Sequence, residues 1–209
     1  MGAREEILGR LQERAEIVPM PSAWQSGRRY ADLAAQFDEA LTAVGGEVIR
    51  VGNFDDGVMA LGELLRELGV EKGVVNEERP LSTVNFPHQF PNIEWHIVGQ
   101  SDGDLRDFCA VADVGISGAA AALAETGSVL IESGAGKSRM ATLLPPVHIV
   151  LLPAERITAD LFTWTAARNA PPPTNMTFVS GPSKTADIEQ TLAVGVHGPK
   201  RFIVIVYGE

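Results

Sequence analysis

Residues Ala112–Pro153 read ADVGISGAAAALAETGSVLIESGAGKSRMATLLPPVHIVLLP. The stretch is dense in Gly, Ala, Ser and Thr, carries two apolar strand-like runs, and passes through Pro145-Pro146 into a third. Small residues set this closely bring backbone against backbone, or backbone against a ligand. Thr126-Gly127 predicts a two-residue turn joining strands over 120–125 and 128–133, with Gly127 free to take the positive φ that such turns require. Glu125 then stands at a strand end, either as a solvated tip or as a group facing a cleft. The third run, Val147–Leu152, is uninterrupted by polar residues apart from His148. Such a run belongs in a sheet buried on both faces.

Working outward from this block, helices and strands alternate. Toward the N-terminus, Tyr30, Leu33, Ala34, Phe37, Ala40, Leu41 and Val44 form one apolar helical stripe closed by Gly45-Gly46. Strands are predicted over Glu47–Val51, Gly73–Asn76 and Glu94–Val98. A helix opened by Asp55-Asp56 and capped by Gly69 lies between the first two, where its acids suit the positive end of the helix dipole. Glu77–Pro91 reads as a polar loop region with His88 exposed, and Asp104–Ala110 as a helix that buries Leu105, Phe108 and Cys109. Beyond the block, a helix over Ile157–Ala167 is followed by a Pro171-Pro172-Pro173 spacer. A strand over Met176–Ser180, a short helix over Thr185–Leu192 and a closing strand, Arg201–Tyr207, complete the chain. Alternation of this kind predicts a layered α/β fold. Its expected form is three layers: a mainly parallel sheet, helices on both faces, and an antiparallel hairpin. Residues 1–26 are expected to form an amphipathic helix and an extended arm, and residues 27–209 a single α/β domain.

Composition narrows the function classes. The chain has 209 residues, 45% of them hydrophobic and 21% charged, which suits one soluble domain with a substantial core. No window approaches the apolar length of a membrane span, and the charged N-terminus lacks the apolar core of a signal peptide. A cytoplasmic protein is therefore expected. A formal net charge of −10 argues against general nucleic-acid binding. The single cysteine, Cys109, excludes an internal disulfide or a multi-cysteine cluster site built from this chain alone. No metal-ligand motif occurs.

Two glycine-rich segments are candidate anion sites. Ser133-Gly134 opens Gly134-Ala135-Gly136-Lys137-Ser138, which resembles the end of a phosphate-binding loop. Ile131 and Glu132 stand where that loop needs its first glycine, however, and no long helix pattern follows. The segment is left as a glycine-rich turn with a cation, or a plain surface turn. In Ser180-Gly181-Pro182-Ser183-Lys184-Thr185-Ala186-Asp187, a strand is expected to turn into a helix capped by Ser183. Free N–H groups, Lys184 and the hydroxyls of Ser183 and Thr185 would then cradle a phosphate or carboxylate. Asp187 would equally satisfy that helix start with no ligand present. Of the histidines, His148 lies in an apolar strand, whereas His197 sits on a glycine-flanked loop where a cleft-facing role is more natural.

The segments GISGAAAALAETGSVLIES, LLPPVHIVLLPAERI, SGPSKTADIEQTLAVGVHGPKR and FIVIVY together resemble the LUD-domain family, strongly over the C-terminal half and in layout over the rest. The resemblance implies a fold similar to the ribose-phosphate isomerase and CoA-transferase group. It also implies a part in the bacterial oxidation of L-lactate to pyruvate beside two partners that carry iron–sulfur clusters, with no cofactor bound by this chain. It marks Glu125, Thr126, Gly127, Ser133, Gly134, His148, Ser180, Gly181, Ser183, Lys184, Thr185, Asp187 and His197 as motif positions. Two functions follow as expectations. One is a non-redox subunit with a small-anion or carboxylate site. The other is a stand-alone enzyme for an acyl-CoA or sugar-phosphate substrate with Glu125 as nucleophile or base, Glu125 and His197 being the catalytic candidates.

Overall fold

The computed structural model describes residues 2–13, 24, 26–169, 171, 173–186 and 192–208. Helix α1 (Ala3–Glu13) exposes Ile7, Leu8 and Leu11 to solvent. Helix α2 (Leu33–Ala43) begins where the Asp32 carboxylate accepts the N–H groups of Ala34 and Ala35, and it buries Phe37 and Leu41 one turn apart. Strand β1 (Glu47–Val51) leads to helix α3 (Phe54–Glu67), which is capped by Asn53 and buries Leu61, Leu64 and Leu65. Strand β2 (Lys72–Val75), a short helix α4 (Phe86–Gln89), strand β3 (Glu94–Ile97) and helix α5 (Leu105–Val111) follow. The central block forms β4 (Val114–Ser117), β5 (Ala121–Leu123), β6 (Ser128–Ser133), α6 (Arg139–Leu143) and β7 (Val147–Pro153). The chain closes with β8 (Ile157–Thr158), α7 (Leu161–Ala167), β9 (Asn175–Val179), β10 (Lys184–Ala186), β11 (Leu192–Val194) and β12 (Arg201–Tyr207).

Six strands make one parallel sheet in the order β1-β12-β7-β4-β2-β3. Its central strands are apolar but for Ser117 and His148, because alternate residues serve opposite faces and both faces are covered. Ile149, Leu151, Ile203 and Ile205 pack with α3 residues Leu61, Leu64 and Leu65 on one face. Val150, Leu152, Phe202, Val204 and Val206 pack on the other with Phe37 and Leu41 of α2 and with Ala122, Val129 and Ile131 of a second sheet. Helices α5 and α6 share this second face, at Cys109 and Ala141. The result is a three-layer α/β fold with helices on both sides of a mainly parallel sheet.

The second sheet has the order β8-β5-β6-β9 and contains the predicted antiparallel hairpin, with Leu123 opposite Ser128. Its loop is four residues, 124–127, rather than two, since pairing stops at Leu123. Gly127 has φ +63, and a Cβ there would stand 2.3 Å from the Leu41 backbone nitrogen. The hairpin tip therefore rests directly on the α2 backbone, which only glycine permits.

Three local expectations are corrected. Of the helix expected over Thr185–Leu192, the described ends are strands: Lys184–Ala186 pairs antiparallel with Leu192–Val194 as a two-stranded ribbon, and β-branched Thr185 and Val194 suit that pairing; residues 187–191 lie outside the described residues. Ile157-Thr158 is not helical either, because it adds to the edge of β5, and the helix begins only after Asp160, whose carboxylate accepts the Thr163 N–H. The Glu77–Pro91 region is more ordered than its polarity suggests, since Leu81 and Phe86 anchor it in the core.

Candidate functional site

In parallel α/β sheets ligands collect beyond the carboxyl ends of the strands, where side chains on successive loops converge. Here β2 ends in Asn76-Glu77-Glu78-Arg79, β4 in Gly118-Ala119-Ala120, β7 in Ala154-Glu155-Arg156, and β12 in Tyr207-Gly208. These segments enclose a two-lobed cleft. A polar lobe of about 390 Å³ is lined by Glu78, Arg79, Ala119, Ala120, Glu132, Lys137, Arg156, Trp164 and Arg168. A second lobe of about 340 Å³ is bounded by Pro80, Pro153, Ala154, Glu155, Tyr207 and Gly208, and shares Arg79 and Arg156 with the first. The polar lobe thus carries four cations against two carboxylates, in a chain whose formal net charge is −10. That concentration of positive charge favours an anion.

Each charged group is held by its surroundings. Glu78 is half-buried and accepts the Gly118 N–H at 2.9 Å. A Cβ on Gly118 would lie 3.2 Å from the Glu78 carboxyl carbon, so the absent side chain lets this carboxyl close onto the end of β4. Burial raises the Glu78 pKa above the ordinary carboxylate range, against the opposing pull of the Gly118 N–H, Lys137 and Arg156. Arg156 donates to the Ala119 carbonyl at 2.6 Å, which orients its guanidinium along the cleft. Arg168 stacks over Trp164 at 5.1 Å and pairs with Glu132 at 2.7 Å, with Lys137 3.7 Å from the same carboxylate. Glu132 is thereby largely neutralised. Arg79 and Arg156 are left to set the field.

Of the residues singled out from sequence, the glycine-rich turn at Ser133-Gly134 brings its cation, Lys137, into the cleft; the structure divides the others among several places away from it. Glu125 forms an ion pair with Arg28 at 2.6 Å. Thr126 joins a hydroxyl chain through Ser128 to Ser180, at 2.7 and 2.6 Å, so Thr126, Gly127 and Ser180 do come together at the hairpin tip. Gly181 packs against Val44 at the end of α2, and Lys184 donates to the Val44 carbonyl at 2.5 Å. That cation caps the negative end of a helix. Ser183 precedes a strand and not a helix, so the N–H cradle expected there does not form; its N–H donates to Pro199 and its carbonyl accepts from Gly195. Thr185 lies in β10. This brings Ser183 beside the loop that carries His197, which is exposed near Leu143 and Pro146, where β7 begins. His197 therefore lies at the amino edge of the sheet, opposite the cleft. Ser133 ends β6 and Gly134 closes a tight turn with Lys137. His148 is fully buried and shares a 2.9 Å hydrogen bond with Ser117, and desolvation pushes its pKa down to about 3. It is a neutral core residue. Asp187 lies outside the described residues. Among the described residues, no group of three or more His, Cys, Asp or Glu side chains is placed to hold a metal ion.

Glu78, Arg79, Arg156 and Arg168 were not singled out from the sequence. A signal was available: Glu78-Arg79 and Arg156 each lie within four residues of the end of an apolar strand run, the position at which a parallel sheet presents side chains to ligand.

The sequence matches the LUD domain over residues 34–207. The chain belongs to the LUD domain family. Over nearly its whole length this LUD-domain chain is 31% identical to "Lactate utilization protein C 1" of Bacillus mycoides, across 97% of this chain and 96% of that protein. It is 30% identical to an uncharacterized protein of Neisseria meningitidis serogroup B, across 98% and 93% of the two chains. Identity rises to 43% with "Lactate utilization protein C" of Halalkalibacterium halodurans, over 46% of this chain and 44% of that one. The crystal structure of a DUF162 family protein from Deinococcus radiodurans superposes with a TM-score of 0.55 at 20% identity, covering 84% of this chain and 96% of that chain. That likeness is one of fold.

Proposed function

We propose that this LUD-domain chain is a non-redox subunit of a bacterial L-lactate oxidation system, working beside iron–sulfur partner proteins, and that the carboxyl-edge cleft holds a small carboxylate. The observation that carries the reading is the near full-length similarity to a lactate utilization protein C. The cleft supports it chemically. Guanidinium groups match a carboxylate's two oxygens, and a hydrogen bond to a charged group is worth about 1.5–3 kcal/mol. Two such contacts supply about 3–6 kcal/mol before the cost of association is met, so weak binding is expected. One buried cysteine, Cys109, cannot supply the thiolates of an iron–sulfur cluster, so the redox centres are assigned to the partners.

The test is anaerobic reconstitution. Lactate-dependent dye reduction by the cluster-bearing partners is measured with and without this chain. A dependence on the chain is expected. Undiminished activity without it would remove the subunit reading.

A further inference from the structure

We propose that Glu78 reads the substituent on the carbon next to the ligand's carboxylate, so that the cleft selects 2-hydroxy and 2-oxo acids over plain short-chain acids. The inference rests on the reading of the cleft as a carboxylate site. Glu78 lines the same lobe as the guanidinium groups of Arg79 and Arg156. A ligand carboxylate drawn to those cations thus carries its neighbouring carbon past a protein carboxyl group, an arrangement that would repel a plain anion. It becomes favourable only where the ligand offers a polar group to Glu78. The Gly118 N–H occupies one acceptor position, and a carboxylate has roughly four. Capacity to accept a ligand hydroxyl proton remains.

The groups facing Glu78 are few. Asn76 comes from its own segment, the Gly118 N–H from the end of β4, Arg156 from the turn after β7 and Lys137 from the turn after β6. Glu132 on β6 is held by Arg168. Glu78, whose pKa burial raises, is thus the cleft's proton-switching group. Ionised, it accepts a hydrogen bond from a 2-hydroxyl; protonated, it donates one to a 2-oxo oxygen.

The experiment is calorimetric titration of L-lactate, pyruvate and propionate into the intact chain and into Glu78→Gln, with equal denaturation midpoints taken as proof of folding. The intact chain is expected to bind lactate about tenfold tighter than propionate, the factor one charged hydrogen bond supplies. The ratio of lactate to pyruvate affinity should rise with pH. In Glu78→Gln the preference over propionate should shrink to about threefold or less and the pH dependence should flatten, because the amide carries no ionisable proton. Equal binding of lactate and propionate by the intact chain overturns the role of Glu78 and leaves the carboxylate site standing. Absence of binding by all three acids overturns both.

Discussion

Replacing Gly127 with alanine tests how the hairpin is seated. The new Cβ would stand 2.3 Å from the Leu41 nitrogen, 2.5 Å from its Cα and 2.7 Å from the Ala40 carbonyl carbon. These are helix backbone atoms, which cannot swing aside as a side chain would, so α2 and the hairpin must part by about 1 Å to reach ordinary contact. Holding alanine at φ +63 adds about 1–2 kcal/mol, and overpacking costs about 1–3 kcal/mol. The expected loss is therefore about 2–5 kcal/mol, a large part of a typical stability of about 5–15 kcal/mol. Urea denaturation followed by circular dichroism measures it. Gly134→Ala is the matched control, because its Cβ would meet nothing within 4 Å and its φ is not positive; a change within about 0.5 kcal/mol is expected. If Gly127→Ala lost less than about 1 kcal/mol, the hairpin would not rest on α2 as described.

Two further outcomes follow from the core. His148 has its pKa lowered from 6.5 to about 3 by burial, so the unfolded chain binds the extra proton. Its contribution to stability is complete above pH 6.5 and is lost as pH falls toward 3, about 2 kcal/mol of it between pH 7 and pH 5. The wild-type and His148→Asn denaturation curves at those two pH values should differ by that slope; parallel behaviour would mean that the ring is hydrated. Cys109 is 1% exposed and its thiol is pushed up to about 11, so an aromatic disulfide reagent at pH 8 should label it only on addition of denaturant.

How much of this was legible depended on whether the deciding forces were local. Strands Glu47–Val51 and Arg201–Tyr207 were readable to the residue and β7 to within one, and in β7 and β12 burial on both faces leaves an apolar run. Helix α2 was legible through Phe37 and Leu41. The ribbon at Lys184–Ala186 was missed because Ser183 after a Gly-Pro turn, with Asp187 following, reads as a helix start. What holds this ribbon is instead pairing with residues 192–194 and the anchorage of Ser183 to Pro199, neither of which the pattern at Ser183 announces. The cleft was hidden for the same reason: Glu78, Gly118 and Arg156 are 38 to 40 residues apart from one to the next, and only the parallel register of β2, β4 and β7 brings them to one edge. Lys184 and His197 looked like site residues because their local patterns are flexible and charged. The structure gives Lys184 to the end of α2 and His197 to the far edge of the sheet.

The most direct measurement is the titration of L-lactate into four single variants compared with the unaltered chain. Arg79→Ala and Arg156→Ala remove cations of the cleft, whereas Lys184→Ala and His197→Ala alter the opposite edge. Each cleft substitution is expected to weaken binding about tenfold or more, the value of one charged hydrogen bond, and neither distal substitution to change it. Lactate binding that survives both cleft substitutions and is lost in Lys184→Ala or His197→Ala would contradict this and place the anion site at the amino edge.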